Sequence, residues 1–114
     1  MDNFEFLEAR AIGPAQYHKW DMSEEMFKEF MDAWGLDAQL NMAQEEAGEL
    51  VVAVGQWKRG RVEEWNVIEE AVDTFFMALE LRSLNPEIFD QIFEFKKQRT
   101  LKRLAKWKEE NESN

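Results

Sequence analysis

The sequence predicts an all-α protein, and three observations carry this prediction. From about residue 23 onward, apolar residues recur at the steps of three and four that mark one face of a helix. Strand signals are nearly absent, because β-branched residues are scarce and no alternating run is bounded by turns. Only short breaks interrupt the periodicity, which is typical of a bundle. We therefore expect about four helices in a single domain over residues 1–114, with its core at 23–108 and peripheral segments at 1–20 and 109–114.

The first predicted helix follows residues 1–20, where the pattern is weakest and "IGP" at 12–14 marks a break. Ser23 is a good N-cap and Gly35 a good terminating glycine, so this helix should run to Trp34. Its apolar positions are Met22, Met26, Phe27, Phe30, Met31 and Trp34.

The second predicted helix runs from about Asp37 to Trp57 and is closed by "KRGR" at 58–61. Gly48 and Gly55 lie inside it, and each costs about 1 kcal/mol relative to Ala. We therefore expect another backbone or a ligand to approach closely at these glycines. The helix has one apolar stripe, formed by Leu40, Ala43, Ala47, Leu50, Val51, Val54 and Trp57.

The third predicted helix begins near Asn66, where "NVIE" suggests a capping box with Asn66 as N-cap and Glu69 at N3. It ends before "NPE" at 85–87, and its stripe is Ile68, Ala71, Val72, Phe75 and Leu79. Asn85 and Pro86 then cap and open a fourth helix, which is expected to fray in "EENESN". Its apolar residues are Ile88, Phe89, Ile92, Phe93, Leu101, Leu104 and Trp107.

Composition excludes several classes of protein. With no Cys there is no disulfide framework, thiolate zinc site or cysteine nucleophile, and the single histidine, His18, is expected to be a surface or packing residue. An apolar content of 45% is too high for a disordered chain. No apolar run is long enough for a membrane span and no signal peptide is recognisable, so a cytoplasmic protein without membrane contact is expected. A chain this short gains core by oligomerising through its helices.

The net charge of −10 is unevenly distributed. Residues 1–95 carry 21 of the 24 acidic residues and a net charge of −14, whereas residues 96–108 carry seven basic residues and no acid. An acidic body argues against nucleic-acid binding, which needs a basic footprint. The basic tract is either a solvated helix face or a phosphate-binding surface.

Two acidic motifs carry the chemistry. Glu46 and Glu49 in "EEAGEL", and Glu70 and Asp73 in "EEAVD", are each spaced i,i+3 and therefore share a helix face. If the two helices pack antiparallel, the pairs face each other, and two unit charges 4 Å apart then repel by roughly 4 kcal/mol. Mg²⁺, which prefers oxygen ligands, would make this arrangement tolerable. Acid pairs on a wet surface are the alternative; a di-iron bundle is set aside because it usually needs Glu-x-x-His pairs.

At these residues the sequence resembles the MazG-like all-α nucleoside triphosphate pyrophosphohydrolases, in their short single-domain form. "EEAGE" followed by "EAVD" is similar to the family signature, and the likeness covers about residues 33–84. It implies a helical bundle that forms homodimers or homotetramers and uses Mg²⁺, with Mn²⁺ as a substitute, to cleave (deoxy)nucleoside triphosphates to monophosphate and pyrophosphate. It also implies metal ligation by Glu46, Glu49, Glu70 and Asp73, with Glu45 as the catalytic carboxylate that orients water. Glu69 is assigned either to the site or to the helix cap.

A triphosphate also needs cations, since Arg and Lys both bind phosphate. The candidates are Lys58, Arg59, Arg61, Lys96, Lys97, Arg99, Lys102 and Arg103, which could instead offset the acidic body. Trp34 is a candidate for stacking the base, although a Trp at helical spacing is more often core or interface.

Three alternatives stay open for function. A dUTP-specific enzyme of the same superfamily is a close one, and a phosphoribosyl-ATP pyrophosphohydrolase is a less favoured one. A non-catalytic acidic module, such as a DNA-mimicking inhibitor, belongs to a different class; its acids should be spread over a surface, whereas here the informative acids adjoin apolar stripes.

Overall fold

The computed structural model describes residues 22–112, so His18 and the expected break at 12–14 lie outside the described residues. Within 22–112 the secondary structure is entirely helical, in the order α1 (Glu24–Trp34), α2 (Leu36–Lys58), α3 (Glu64–Arg82) and α4 (Pro86–Glu112). The predicted all-α class is confirmed. The chain divides into two compact units, Met1–Ser83 and Leu84–Asn114, which are described separately below. The single-domain bundle stays a prediction.

Helix α1 begins and ends as its sequence predicts. The Ser23 hydroxyl accepts a hydrogen bond from the Met26 N–H at 3.3 Å, which satisfies one of the free donors of the first turn. Gly35 terminates the helix at φ 86°, a conformation that disfavours side chains, and donates its N–H to the Met31 carbonyl at 2.8 Å. Phe27 is buried and meets the edge of Phe30 with ring centroids 5.9 Å apart, so this side of α1 packs inward.

Helices α2 and α3 form an antiparallel hairpin. Residues 59–63 connect them, with Gly60 at φ 70° and the Arg61 N–H donating to the Gln56 carbonyl at 2.9 Å. The Thr74 hydroxyl on α3 reaches the Glu46 carbonyl on α2 at 3.1 Å. Further along the pair, Gln39 of α2 lies against Glu80 of α3. Because residue numbers rise on one helix as they fall on the other, the two helices run in opposite directions.

The predicted start of α3 is wrong. The helix begins at Glu64 with Glu63 as its N-cap, whereas Asn66 had been assigned that position. Asn66 is instead the N3 residue of the capping box, where its side-chain oxygen accepts from the Glu63 N–H at 2.9 Å. An amide at N3 can reach back to the cap in this way as a Gln or Glu does. The capping box therefore consists of Glu63 and Asn66 and does not include Glu69.

A buried polar pair lies between α2 and α3, where the stripes predict an apolar core. Gln39 and Glu80 are buried at 5% and 3% exposure. With the Gln39 amide assigned so that its nitrogen faces Glu80, it donates to the two carboxylate oxygens at 2.7 and 2.8 Å. Conversely, Val51 on the predicted stripe of α2 is 72% exposed. Phe27 and Met77 are the buried hydrophobic residues of the described chain.

In the second unit, α4 begins as predicted. Asn85 caps it by accepting from the Ile88 N–H at 3.1 Å, and Pro86 is its first residue. The expected fraying after residue 108 is not observed, since the helix continues to Glu112 and the Asn111 amide donates to the Trp107 carbonyl at 2.7 Å. None of the α4 side chains is buried. Across residues 22–112, no helix has both the length and the apolar content for a membrane crossing.

Candidate metal centre

Carboxylates from α2 and α3 converge at the middle of the hairpin. Glu46, Glu49 and Glu70 each place one carboxylate oxygen within 4.8 Å of the others. A second group with the same spacing is formed by Glu69, Glu70 and Asp73. Glu70 belongs to both triads, so the five side chains form one continuous acidic cluster, which we call the carboxylate cluster. The expected convergence of the two acidic motifs is therefore observed.

Local structure explains how the cluster forms. Spacings of three and four residues put Glu46 with Glu49, and Glu69 and Glu70 with Asp73, on the faces that α2 and α3 turn toward each other. Thr74 links the two helices at this level. Its hydroxyl lies 2.8 Å from the Glu70 carbonyl and 3.1 Å from the Glu46 carbonyl, so one proton is shared between the two helices. The backbone that carries the ligands is thus tied together at the cluster itself.

Burial and like charges raise the pKa of three carboxyls in the cluster. Burial, hydrogen bonding to Glu49 and the nearby charges of Glu49 and Asp73 raise the pKa of Glu70 to about 7. Burial and the charges of Glu49 and Asp73 also raise the pKa of Glu46. The pKa of Asp73 is raised by burial and by Glu69. Three carboxyls of one cluster therefore resist ionisation, as expected for partly buried carboxyls that lie beside like charges.

Two buried carboxylate oxygens of the cluster lack a hydrogen-bond donor among the described residues, and a cation would satisfy both. Oε2 of Glu46 and Oε2 of Glu70 are buried and have no hydrogen-bond donor among residues 22–112. Buried polar atoms are normally satisfied, because an unmade hydrogen bond costs about 1–3 kcal/mol. The ligand set of both triads consists of carboxylate oxygens alone. Such a set fits a hard cation such as Mg²⁺ or Mn²⁺ and does not favour a metal that prefers nitrogen or sulfur.

An open groove of about 590 Å³ adjoins the cluster. Glu45, Glu49 and Glu70 line it on the acidic side, and its remaining lining residues are Gly48, Val52, Ala53, Gln56, Val62 and Asn66. No described backbone approaches Gly48, since no described atom lies within 4 Å of the position of an added Cβ. The expected approach of a ligand at this glycine stays a prediction. Gly48 leaves space beside the cluster. At Gly55 the neighbour of such a Cβ is a side chain and not a second backbone, because the Arg59 guanidinium lies 3.3 Å away and donates to the Gly55 carbonyl.

The other predicted site residues are placed as follows. Glu45 lines the groove, and its side chain is exposed to solvent. Trp34 is 62% exposed at the end of α1 and stacks on Phe30, with centroids 5.5 Å apart. Lys58 and Arg61 are exposed around the α2–α3 connection. The predicted phosphate contacts of the second unit, all on α4, are Lys96, Lys97, Arg99 and Arg103. The roles assigned to these residues stay predictions.

The sequence reading left Glu69 ambiguous and did not single out Thr74. The signal for Glu69 was its i,i+4 spacing to Asp73, which places both on one helix face. Thr74 gave no motif signal, since its role depends on the neighbouring helix. On α4, Lys97 pairs with Glu94 at 2.9 Å, and the Arg99 guanidinium lies 5.9 Å from the centre of the Phe95 ring.

Comparison of the chain with protein-family models, curated proteins and solved structures gives no match. The likeness to the MazG-like enzymes therefore depends on the sequence alone, on the two acidic motifs and the residues around them in 33–84.

Proposed function

We propose that this chain is a MazG-like nucleoside triphosphate pyrophosphohydrolase that depends on Mg²⁺ and accepts Mn²⁺ in its place. The observation that carries the proposal is the pair of carboxylate triads that share Glu70 beside an open groove. If these acidic side chains simply lay on a solvated surface, each carboxylate oxygen would be exposed to water. Here two carboxylate oxygens are buried without a donor among the described residues, and a divalent cation would satisfy both.

The chain's own residues then have distinct tasks. Glu46, Glu49, Glu70 and Asp73 hold the cation, and Glu69 adds a fifth carboxylate at the same place. Thr74 fixes the two helices against each other through backbone carbonyls. When bound, Mg²⁺ supplies positive charge to the triphosphate oxygens and lowers the pKa of a water molecule. Glu45 lines the groove and is exposed, which supports its proposed role of orienting a water molecule or accepting its proton.

The groove has a suitable size and lining for a nucleotide. Its volume of about 590 Å³ lies within the range of small-ligand pockets, which is about 300–1,000 Å³. Val52, Ala53 and Val62 give it an apolar side, and the Gln56 and Asn66 amides add polar groups.

Water attack on the triphosphate breaks the α–β anhydride bond and yields a monophosphate, pyrophosphate and a proton. Pool control of (deoxy)nucleotides follows from this reaction.

Other residues are proposed to contact the phosphates and the base of the nucleotide. Lys58, Arg61, Lys96, Lys97, Arg99 and Arg103 stay the candidates for phosphate, and Trp34 for the base. We also propose a homo-oligomer, because large hydrophobic side chains on every described helix are exposed in the single chain.

Turnover measured with substituted carboxylates tests the proposal. Glu49→Ala and Asp73→Ala should abolish Mg²⁺-dependent release of pyrophosphate while the far-UV circular dichroism stays helical. Glu29→Ala, an exposed acid on α1, is the matched control and should retain activity. Wild-type turnover in either cluster variant would refute the assignment.

A panel of nucleoside triphosphates, with and without Mg²⁺, separates the alternatives. Release from dUTP alone would identify a dUTP-specific enzyme. Absence of release from every nucleotide, together with tight binding to a protein partner, would favour the acidic inhibitor.

A further inference from the structure

One side of α4 carries a continuous row of four basic side chains, which we call the basic stripe. Steps of three and four residues place its members on one helix face: Arg99, Lys102, Arg103 and Lys106. All four are exposed, and no acidic residue occurs from Lys96 to Lys108. The ion pairs Glu94–Lys97 at 2.9 Å and Lys106–Glu110 at 4.0 Å include none of the first three members. The stripe therefore presents positive charge to solvent.

An aromatic ring lies at the N-terminal end of the basic stripe. Phe95 is 66% exposed, and the central carbon of the Arg99 guanidinium lies 5.9 Å from the centre of its ring. An open concavity of about 390 Å³ follows the same side of α4, and its lining residues are Phe95, Gln98, Arg99, Lys102, Arg103 and Lys106. A line of cations together with an exposed ring is the combination that binds single-stranded nucleic acid, since cations follow the phosphates and a ring stacks on a base.

We propose that this side of α4 binds single-stranded nucleic acid, with the basic stripe on the phosphates and Phe95 against a base. At a rise of about 1.5 Å per residue, the stripe extends about 10 Å along the helix axis. Phosphates of a stacked strand are spaced about 3.4 Å along the axis, so about four of them face the four cations. Residues 1–95 carry a net charge of −14 and repel a polyanion, so the contact is confined to α4.

The other side of α4 argues against an anionic membrane as the occupant. Its exposed apolar residues include Phe93 and Leu101, and Lys97 lies four residues from each of them, on the same face. A helix at a membrane surface buries its apolar face among the lipids. Here that face contains the Glu94–Lys97 ion pair, whose burial would cost desolvation of two charges.

The inference goes beyond the proposed function, because its ligand is a polynucleotide and the carboxylate cluster has no part in it. Fluorescence anisotropy of labelled oligo(dT) and oligo(U), each about 20 nucleotides long, measures binding to the full chain in EDTA, where Mg²⁺-dependent turnover is absent. Four phosphate contacts should raise the Kd about 50-fold between about 50 and about 200 mM salt. Absence of binding to both oligonucleotides at the lower salt, or binding only to vesicles of phosphatidylserine, would overturn the inference.

A matched pair of double variants tests the stripe. Lys102→Gln with Lys106→Gln should weaken binding more than about tenfold and halve the salt dependence, because two of four contacts are lost. Lys28→Gln with Lys108→Gln removes the same charge from exposed lysines outside the stripe and should leave the Kd close to that of the wild type. Equal effects of the two double variants would show that net charge alone matters and would overturn the inference.

A second matched pair tests the ring. Phe95→Ala should weaken binding about fivefold or more, since it removes a base-stacking contact. Phe93→Ala makes the same change at a 60% exposed ring on the other side of α4 and should have no effect. Equal affinities of these two variants would exclude the stacking contact. If the stripe double variant instead loses labelled dTTP while binding oligo(dT) like the wild type, the stripe serves the nucleotide substrate and the inference is wrong.

Discussion

The raised pKa of Glu70 predicts that the metal-free protein loses stability as the pH rises. A carboxyl titrates near 4.5 in the unfolded chain and at about 7 in the fold. Between these values the unfolded state has released the proton while the folded state still holds it, so ionisation favours unfolding. The stabilisation is complete below about pH 4.5 and is lost by about pH 7.

The magnitude follows from the shift. A rise from 4.5 to about 7 corresponds to about 3 kcal/mol at most, and solvent screening of the half-buried Glu70 reduces it. If the proposed function holds, Mg²⁺ should reverse the loss, because it would bind the ionised cluster of the folded state. A concentration 100-fold above the dissociation constant adds about 2.7 kcal/mol. The Mg²⁺ effect should therefore grow with pH, since protonated carboxyls do not bind the cation.

Urea unfolding followed by circular dichroism, at about pH 5 and about pH 8 with EDTA or Mg²⁺, measures both effects. Glu70→Gln is the control, because it removes the titrating group while keeping its size. This variant should show a smaller loss of stability between the two pH values in EDTA. A wild-type protein equally stable at both pH values, or an unchanged loss in Glu70→Gln, would refute the reasoning.

Three further predictions concern the hairpin and its groove. Glu80→Ala should lower the free energy of unfolding by about 1–3 kcal/mol because it leaves Gln39 without its partner, whereas Glu80→Gln keeps a hydrogen bond; equal stabilities in urea would contradict this. Gly48→Ala should stabilise α2 by up to about 1 kcal/mol, since nothing described meets the added Cβ. Gly48→Leu should raise the KM for nucleotide by filling the groove, and an unchanged KM would place the nucleotide elsewhere.

Sequence patterns predicted most of the helical boundaries, because local chemistry sets them. Ser23 and Gly35 act within a single turn of α1, and Asn85 and Pro86 do so at α4. The start of α3 was misplaced because Asn66 suits both the N-cap and the N3 position. Only the direction of its side chain, which accepts from the Glu63 N–H, distinguishes the two. The carboxylate cluster could be anticipated because helical spacing and a short connection determine which side chains meet.

What covers each face could not be read from the sequence. Periodicity identifies the apolar stripe of α2 but not its neighbour, and a stripe covered by a second chain has the same pattern as one buried within the first. The structure places Gln39, Glu46 and Glu49 toward α3 and leaves the stripe partly exposed. Where the two helices meet through carboxylates, apolar burial adds little to their stability. The proposed metal and the proposed homo-oligomer are thus linked, since a cation would stabilise the acidic face and a further chain would cover the exposed stripe.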